Sequence, residues 1–474
     1  MTGLLEAPER TAVVVGGGLA GTTAALRLAE AGHRVTLLEA RPRLGGLAFS
    51  FRRGELTVDN GQHVFLRCCT AYRGFVERLG AADRVAIQPR LEVPVLSVQG
   101  DRHRLGRLRR AALPVPLHLA GSLATYPHLG PLDRLRVVRG ALALQRLDLA
   151  DPALDGQSFG DWLRAHGQSE RTLAALWDLV GVATLNARAD EVSLALAAMV
   201  FKTGLLTDPG ASDIGVAAVP LGELHHDTAR AVLAEQQVAV RLRAKAVELK
   251  TDAAGKHTVR LEDGEALTAD TVVLAGAQES TAALLPDGAV ERPERLARLG
   301  HAPILNVHVI YDRKVLRRPF FAALDSPVQW VFDRTAHSGL AGTALGAARP
   351  GAQYLALSQS AVRGEIDLPV SELRARYLPE LARLLPAART AEVLDFFVTR
   401  ERTATFDPAP GTAALRPGPV TAVPGLLLAG AWTATGWPAT MEGAVRSGHA
   451  AADAALAAAG HRVPTDRGDG RWPR

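Results

Sequence analysis

Cysteine is almost absent. Cys68 and Cys69 are the only two in 474 residues. Being adjacent, they make a sterically poor disulfide, and no disulfide framework can exist. Their expected role is as two small buried hydrophobes in a reducing cytoplasm. Aromatics are sparse, at 5%. Basic residues are not interleaved with them, and no nucleic-acid motif appears, so nucleic acid is not an expected partner. No uninterrupted apolar run reaches membrane-spanning length. Residues 1–10 are polar and acidic, so no secretory leader is expected. No repeat and no long low-complexity segment is present. His225 and His226 are adjacent, and adjacent side chains diverge on a helix, so no metal site is expected.

What is present is glycine in two organised places. Thr11-Ala12-Val13-Val14-Val15 is a short apolar run suited to a buried parallel strand. Gly16-Gly17-Gly18-Leu19-Ala20-Gly21 follows at once. Gly16 permits a tight turn, Gly18 lets backbone approach a pyrophosphate, and Gly21 lets the next helix pack close. The N–H groups of that helix start, including Leu19 and Ala20, would face the phosphates. A helix over 22–31 ends at Gly32, and a second strand over 34–38 ends in Glu39, an acceptor for a ribose diol. Strand, turn, helix, strand and acid all agree, which a chance glycine-rich loop would not give. Directly afterwards come Ala40, Arg41, Pro42, Arg43, Leu44, Gly45 and Gly46. The glycine pair lets the backbone pass close to an extended cofactor, and Arg41 and Arg43 offer charge for a diphosphate.

The second place lies about 400 residues on. Gly425-Leu426-Leu427-Leu428-Ala429-Gly430-Ala431-Trp432 reads as a buried strand and glycine turn. A loop follows, then a helix opening near Thr440 and Met441, whose N–H groups suit a flavin pyrimidine oxygen. Arg41-Pro42-Arg43-Leu44-Gly45-Gly46 resembles the Arg-x-Gly-Gly segment of flavin amine oxidases, protoporphyrinogen oxidases and phytoene-desaturase-like enzymes. Val58-Asp59-Asn60-Gly61-Gln62-His63 and Trp437-Pro438-Ala439-Thr440-Met441-Glu442-Gly443-Ala444-Val445-Arg446-Ser447-Gly448 resemble the hydroxysqualene dehydroxylases, also described as squalene-associated FAD-dependent desaturases. The similarity extends to Trp330-Val331-Phe332-Asp333-Arg334 and Ser358-Gln359-Ser360, and so spans nearly the whole chain.

The resemblance implies an α/β chain with an α+β substrate part. Its Rossmann-like FAD-binding domain would be of the glutathione-reductase and amine-oxidase type, with an interleaved substrate-binding domain. Residues 10–83, 214–285 and 413–461 would bind FAD. Residues 84–213, read as mostly helical, and 286–412 would bind substrate. Residues 1–9 and 462–474 read as loose tails. Backbone at Val247 would meet the adenine, and Gly61 would lie beside the flavin. Where relatives carry Gly-Asp, this chain has Gly430-Ala431, which removes one charged hydrogen bond to the cofactor. The implied reaction is reductive removal of the hydroxyl of hydroxysqualene to give squalene. His63 would protonate the leaving hydroxyl and Gln62 would orient it, while Asn60 and Asp59 would serve the fold. An external electron donor is required, since no second dinucleotide fingerprint appears. The alternatives are a carotenoid or polyprenyl desaturase and a non-catalytic, membrane-recruited flavin-binding protein.

One further segment bears on location. Residues 101–147 hold nine arginines against two aspartates, more net positive charge than the chain's formal +5. The same stretch is rich in Leu, Val and Pro. Basic beside apolar suits peripheral contact with an anionic membrane, on the inner face of the cell membrane for a cytoplasmic protein.

Overall fold

A computed structural model describes residues 10–461, so both expected tails lie outside the described residues. Five parallel strands run in the order Ala239–Leu242, Arg34–Glu39, Thr11–Val15, Thr271–Leu274 and Leu426–Leu428. Three distant stretches of chain therefore build one sheet. Its strands are short and almost wholly apolar, as strands covered on both faces must be. Helices Leu19–Glu30 and Met441–Ala458 pack on one another beside it. Their crossing explains Gly448, since a Cβ there would lie 2.3 Å from the Ala20 carbonyl oxygen. An antiparallel meander of Ala246–Thr251, His257–Leu261 and Ala266–Ala269 links two of the parallel strands.

A second sheet has seven strands, in the order Val393–Thr405, Ala302–Tyr311, Gln353–Ser360, Trp330–Asp333, Phe320–Leu324, Glu92–Gln99 and Arg102–Arg109. The last two correct the mostly helical reading of 84–213. They form a hairpin across Gly100 and Asp101, with Gly100 at φ +56°. The Gly-Asp turn and the β-branched residues of Glu92–Gln99 outweigh the local Leu/Arg content. Val85–Ile87 also departs from that reading, pairing with Ile214–Ala217, which in turn pairs with Phe65–Leu66. Helices predominate only after residue 119.

Candidate cofactor and active site

The glycine turn is built as a cradle. Gly16 has φ +111°, and its N–H donates to the Leu38 carbonyl at 2.7 Å. A Cβ on Gly21 would lie 1.9 Å from the Gly16 oxygen, so only glycine lets the helix start on the turn. Gly18 is the N-cap of helix Leu19–Glu30 and offers no side-chain cap, leaving the first-turn N–H groups for an anion. The second glycine pair lies on the first. Gly45 N–H donates to the Gly17 carbonyl at 2.9 Å, and a Cβ on Gly46 would lie 2.9 Å from the Gly18 Cα. Glu39 is buried, accepting from Gly17 N–H at 2.6 Å and Arg41 N–H at 2.7 Å. Both oxygens keep lone pairs for a ribose diol. Ala40 and Arg41 are exposed at this edge. Arg43, expected to face a diphosphate, instead donates to the Gly46 carbonyl at 3.0 Å and lies 3.3 Å over the Phe49 ring. The strand register skips Val247, a bulge that leaves its backbone unpaired in the ladder, while Arg243 and Ala244 donate to the carbonyls of Arg41 and Glu39. These features fit a dinucleotide with an adenine end near Val247.

Two adjacent histidines, His225 buried and His226 half-buried, hold the Arg-x-Gly-Gly segment down. His225 Nδ1–H donates to the Ala48 carbonyl at 3.0 Å, and its Nε2 accepts from the Tyr72 hydroxyl at 2.9 Å. His226 Nδ1 accepts from Leu44 N–H at 3.1 Å. Among the described residues, no group of His, Cys, Asp and Glu could hold a metal.

The C-terminal half of the site is fixed by its motif residues together with Arg416, which the sequence did not single out. Gly430 has φ +141°, and its N–H donates to Ser447 Oγ at 2.8 Å. Trp432 is buried and donates to the Gly276 carbonyl at 3.1 Å, so it packs rather than lines a pocket. Arg416 lies under the loop that follows. Its guanidinium donates to the carbonyls of Ala431 and Trp432 at 3.2 Å each, to Trp437 at 2.8 Å, and to Thr433. It also sits 4.7 Å over the Phe406 ring. Among the described residues no carboxylate bonds it, and burial pulls its pKa down to about 10. Thr440 caps helix Met441–Ala458, its Oγ accepting from Gly443 N–H at 3.1 Å. Met441, one position in, keeps an N–H with no partner inside the helix. Glu442 is buried and caps a different helix, Thr70–Arg78, accepting from Ala71 N–H at 3.1 Å and Tyr72 N–H at 2.7 Å. Arg446 donates to it at 2.7 Å.

The Asp59 to His63 segment leaves the hairpin of Ser50–Arg53 and Leu56–Asp59 and meets the seven-stranded sheet. Arg334 Nη2 donates to Asp59 Oδ2 at 2.6 Å in a largely shielded pair, with Asp59 buried and Arg334 half-buried. Asn306 Nδ2 and Thr399 Oγ donate to the Asn60 carbonyl at 2.9 and 3.0 Å, and Asn60 Nδ2 donates to Glu401 at 2.9 Å. Asn60 and Asp59 thus brace the fold, as expected. Asn306 and Thr399 were missed; a polar Asn inside the apolar run of Ala302–Tyr311 was the available signal. Gly61 is buried beside Asn306 and His63, a Cβ there lying 3.4 Å from each. His63 Nε2 faces Asn60 Oδ1 at 3.3 Å and so carries the proton. Burial pulls its pKa from 6.5 to about 4. The expectation of a near-neutral acid is therefore corrected: the imidazole is uncharged at neutral pH. Gln62 lines a small polar cleft with Thr57, Asp59, Arg334, His337 and Tyr354.

Comparison with known proteins agrees with this geometry. Residues 19–456 match the family of flavin containing amine oxidoreductases. The chain is 30% identical over 466 residues to hydroxysqualene dehydroxylase of Rhodopseudomonas palustris, covering 95% of this chain and 99% of that one. It is 27% identical to the 15-cis-phytoene desaturase of Solanum lycopersicum, covering 93% of this chain and 77% of that protein. Cyclohexylamine oxidase from Brevibacterium oxydans has a similar fold, with a TM-score of 0.65 at 19% identity over 96% of this chain and 100% of that one.

Proposed function

This chain belongs to the flavin-containing amine oxidoreductases, and on that premise we propose that it removes the hydroxyl of hydroxysqualene reductively, giving squalene. The observation that carries this reading is the near-full-length likeness to a hydroxysqualene dehydroxylase. The cofactor is FAD. In its reduced form FAD supplies the hydride that replaces the hydroxyl at the allylic carbon. The hydroxide takes one proton and departs as water, so one two-electron reduction is consumed per squalene. A donor outside this chain must then supply two electrons again.

The chain's own part is binding, orientation and exclusion of water. Gly16, Gly18, Leu19, Ala20, Gly21, Gly45 and Gly46 form the pyrophosphate seat in this reading. Glu39, Ala40, Arg41 and Val247 form the ribose and adenine end, and Gly61, Gly430, Ala431, Thr440 and Met441 the ring end. Gln62 and His63 are the proposed contacts of the leaving hydroxyl. With its Nε2–H turned to Asn60, His63 offers there the lone pair of Nδ1, since a pKa of about 4 leaves almost no imidazolium at pH 7.

The proposed division has FAD-binding residues 10–83, 214–285 and 413–461 and substrate-binding residues 84–213 and 286–412. The two sheets support it, with Val85–Ile87, alone among the described strands, pairing across the boundary. Among the described residues no helix is long and apolar enough to cross a membrane. Peripheral contact with the inner face of the cell membrane is proposed, because both lipids partition into a bilayer. Carotenoid desaturation is the second reading, favoured by the likeness to phytoene desaturase. Parallel incubations discriminate the two. Reduced protein with hydroxysqualene should yield squalene, whereas oxidised protein with phytoene should yield no further double bonds. Desaturated phytoene without squalene would reverse the assignment.

A further inference from the structure

We propose that the outward face of helix Pro131–Gln145 docks this protein on an anionic lipid bilayer. The inference rests on the isoprenoid reading above and deepens it by naming the surface. Val137, Gly140 and Leu144 are buried and turn one side of the helix into the protein. At 3.6 residues per turn, Leu132, Leu135, Val138 and Leu142 fall on the opposite side. All four are exposed, Leu132 by 61% and Leu135 by 69%. A helix facing water carries mainly polar residues on its outer side; this one carries four exposed aliphatic side chains there. Arg139 and Arg146 fall on the same outer side and are exposed. Neither guanidinium has a hydrogen-bond or ion-pair partner among the described residues. Leu113 and Leu117, on the neighbouring segment, are exposed by 48% and 54%.

Charge selects the occupant. A second copy on this face would crowd four guanidiniums, two from each copy, into one contact, because a two-fold contact uses the same patch twice. An anionic bilayer accepts both features together: leucines enter the acyl boundary while the arginines reach phosphate oxygens. Three other arginines of 101–147 are committed elsewhere. Arg110 donates twice to Asp213, Arg134 to the carbonyls of Ala124 and Tyr126, and Arg136 to Asp133. Those hold the fold. The docking face is thus a helix side rather than the whole basic stretch.

The test uses the full-length, FAD-loaded protein and sedimentation with phosphatidylcholine vesicles, with and without phosphatidylglycerol. Binding should require phosphatidylglycerol and weaken with added salt. Leu135→Gln with Leu142→Gln, and separately Arg139→Gln with Arg146→Gln, should each lower binding about tenfold or more. Melting temperature and turnover of detergent-solubilised hydroxysqualene should stay unchanged. Wild-type vesicle binding in both variants would overturn the proposal. So would a concentration-dependent dimer that the leucine variant abolishes, since the face would then join two copies. Vesicle binding that follows these variants in a protein inert toward hydroxysqualene would uphold the docking face and refute the proposed reaction. Turnover without any vesicle binding would do the reverse.

Discussion

Arg416 is a buried cation among backbone carbonyls, directly beneath the loop where Ala431 replaces the expected carboxylate. Arg416→Met should leave the Ala431, Trp432, Thr433 and Trp437 carbonyls without their donor. The expected cost is about 3 kcal/mol or more, with loss of bound FAD. Arg416→Lys should recover part of it, keeping charge but losing the fork. Thermal unfolding and flavin absorbance read both, and a Met variant with normal melting and full flavin would contradict the role. Ala431→Asp should tighten FAD binding by at most about 1.5–3 kcal/mol, the worth of one charge-assisted hydrogen bond. Unchanged affinity in titration would mean the site is complete around Ala431 and Arg416. Gly18→Glu should abolish flavin binding, because Gly46 lies against it and the seat is made for an anion. Such glycine roles were legible because each depends on a local turn. Arg416 was not, because its partners are carbonyls, and a carbonyl is available at every position in the chain.

At the level of elements, motif residues turn out to fasten one element to another. Glu442 starts one helix but caps Thr70–Arg78, and Ser447 holds the Gly430 turn. Glu442→Gln should therefore destabilise the protein by about 1–2 kcal/mol and speed hydrogen exchange at Ala71 and Tyr72. Unaltered exchange at those two amides would show that the cap is dispensable. The βαβ unit and the C-terminal strand-turn-helix were readable in advance, since hydrophobic period and glycine spacing lie within one short stretch. The hairpin Glu92–Gln99 and Arg102–Arg109 was not. Its sheet partner Phe320–Leu324 lies more than 200 residues on, and its own alternation is blurred by arginine. Likewise Asp59 could be assigned to bracing, but its partner Arg334 emerged only when two sheets came together. His63 misled for a related reason: residue type gives a near-neutral pKa, and the surrounding protein then moves it.

For the whole molecule, several buried histidines make stability depend on acid. Burial lowers His63 and His225 to about 4 and His308 to about 3. In the unfolded chain a histidine titrates near 6.5, so each of these imidazoles takes up its proton far more readily once it is released to water. The unfolded chain therefore binds more protons between about pH 6.5 and 4, and the favoured neutral forms stabilise the fold fully only above that window. Melting temperature should fall steeply as pH drops through it. His308→Gln should flatten that fall, and an unchanged slope would remove His308 from the account. The central claim concerns electrons and lipid together. FAD-loaded protein is reduced anaerobically, freed of excess reductant and mixed with one equivalent of hydroxysqualene, while flavin absorbance and extracted lipid are followed. The account predicts reoxidation of the flavin with one squalene formed per flavin. Flavin that stays reduced while hydroxysqualene is recovered intact would contradict it.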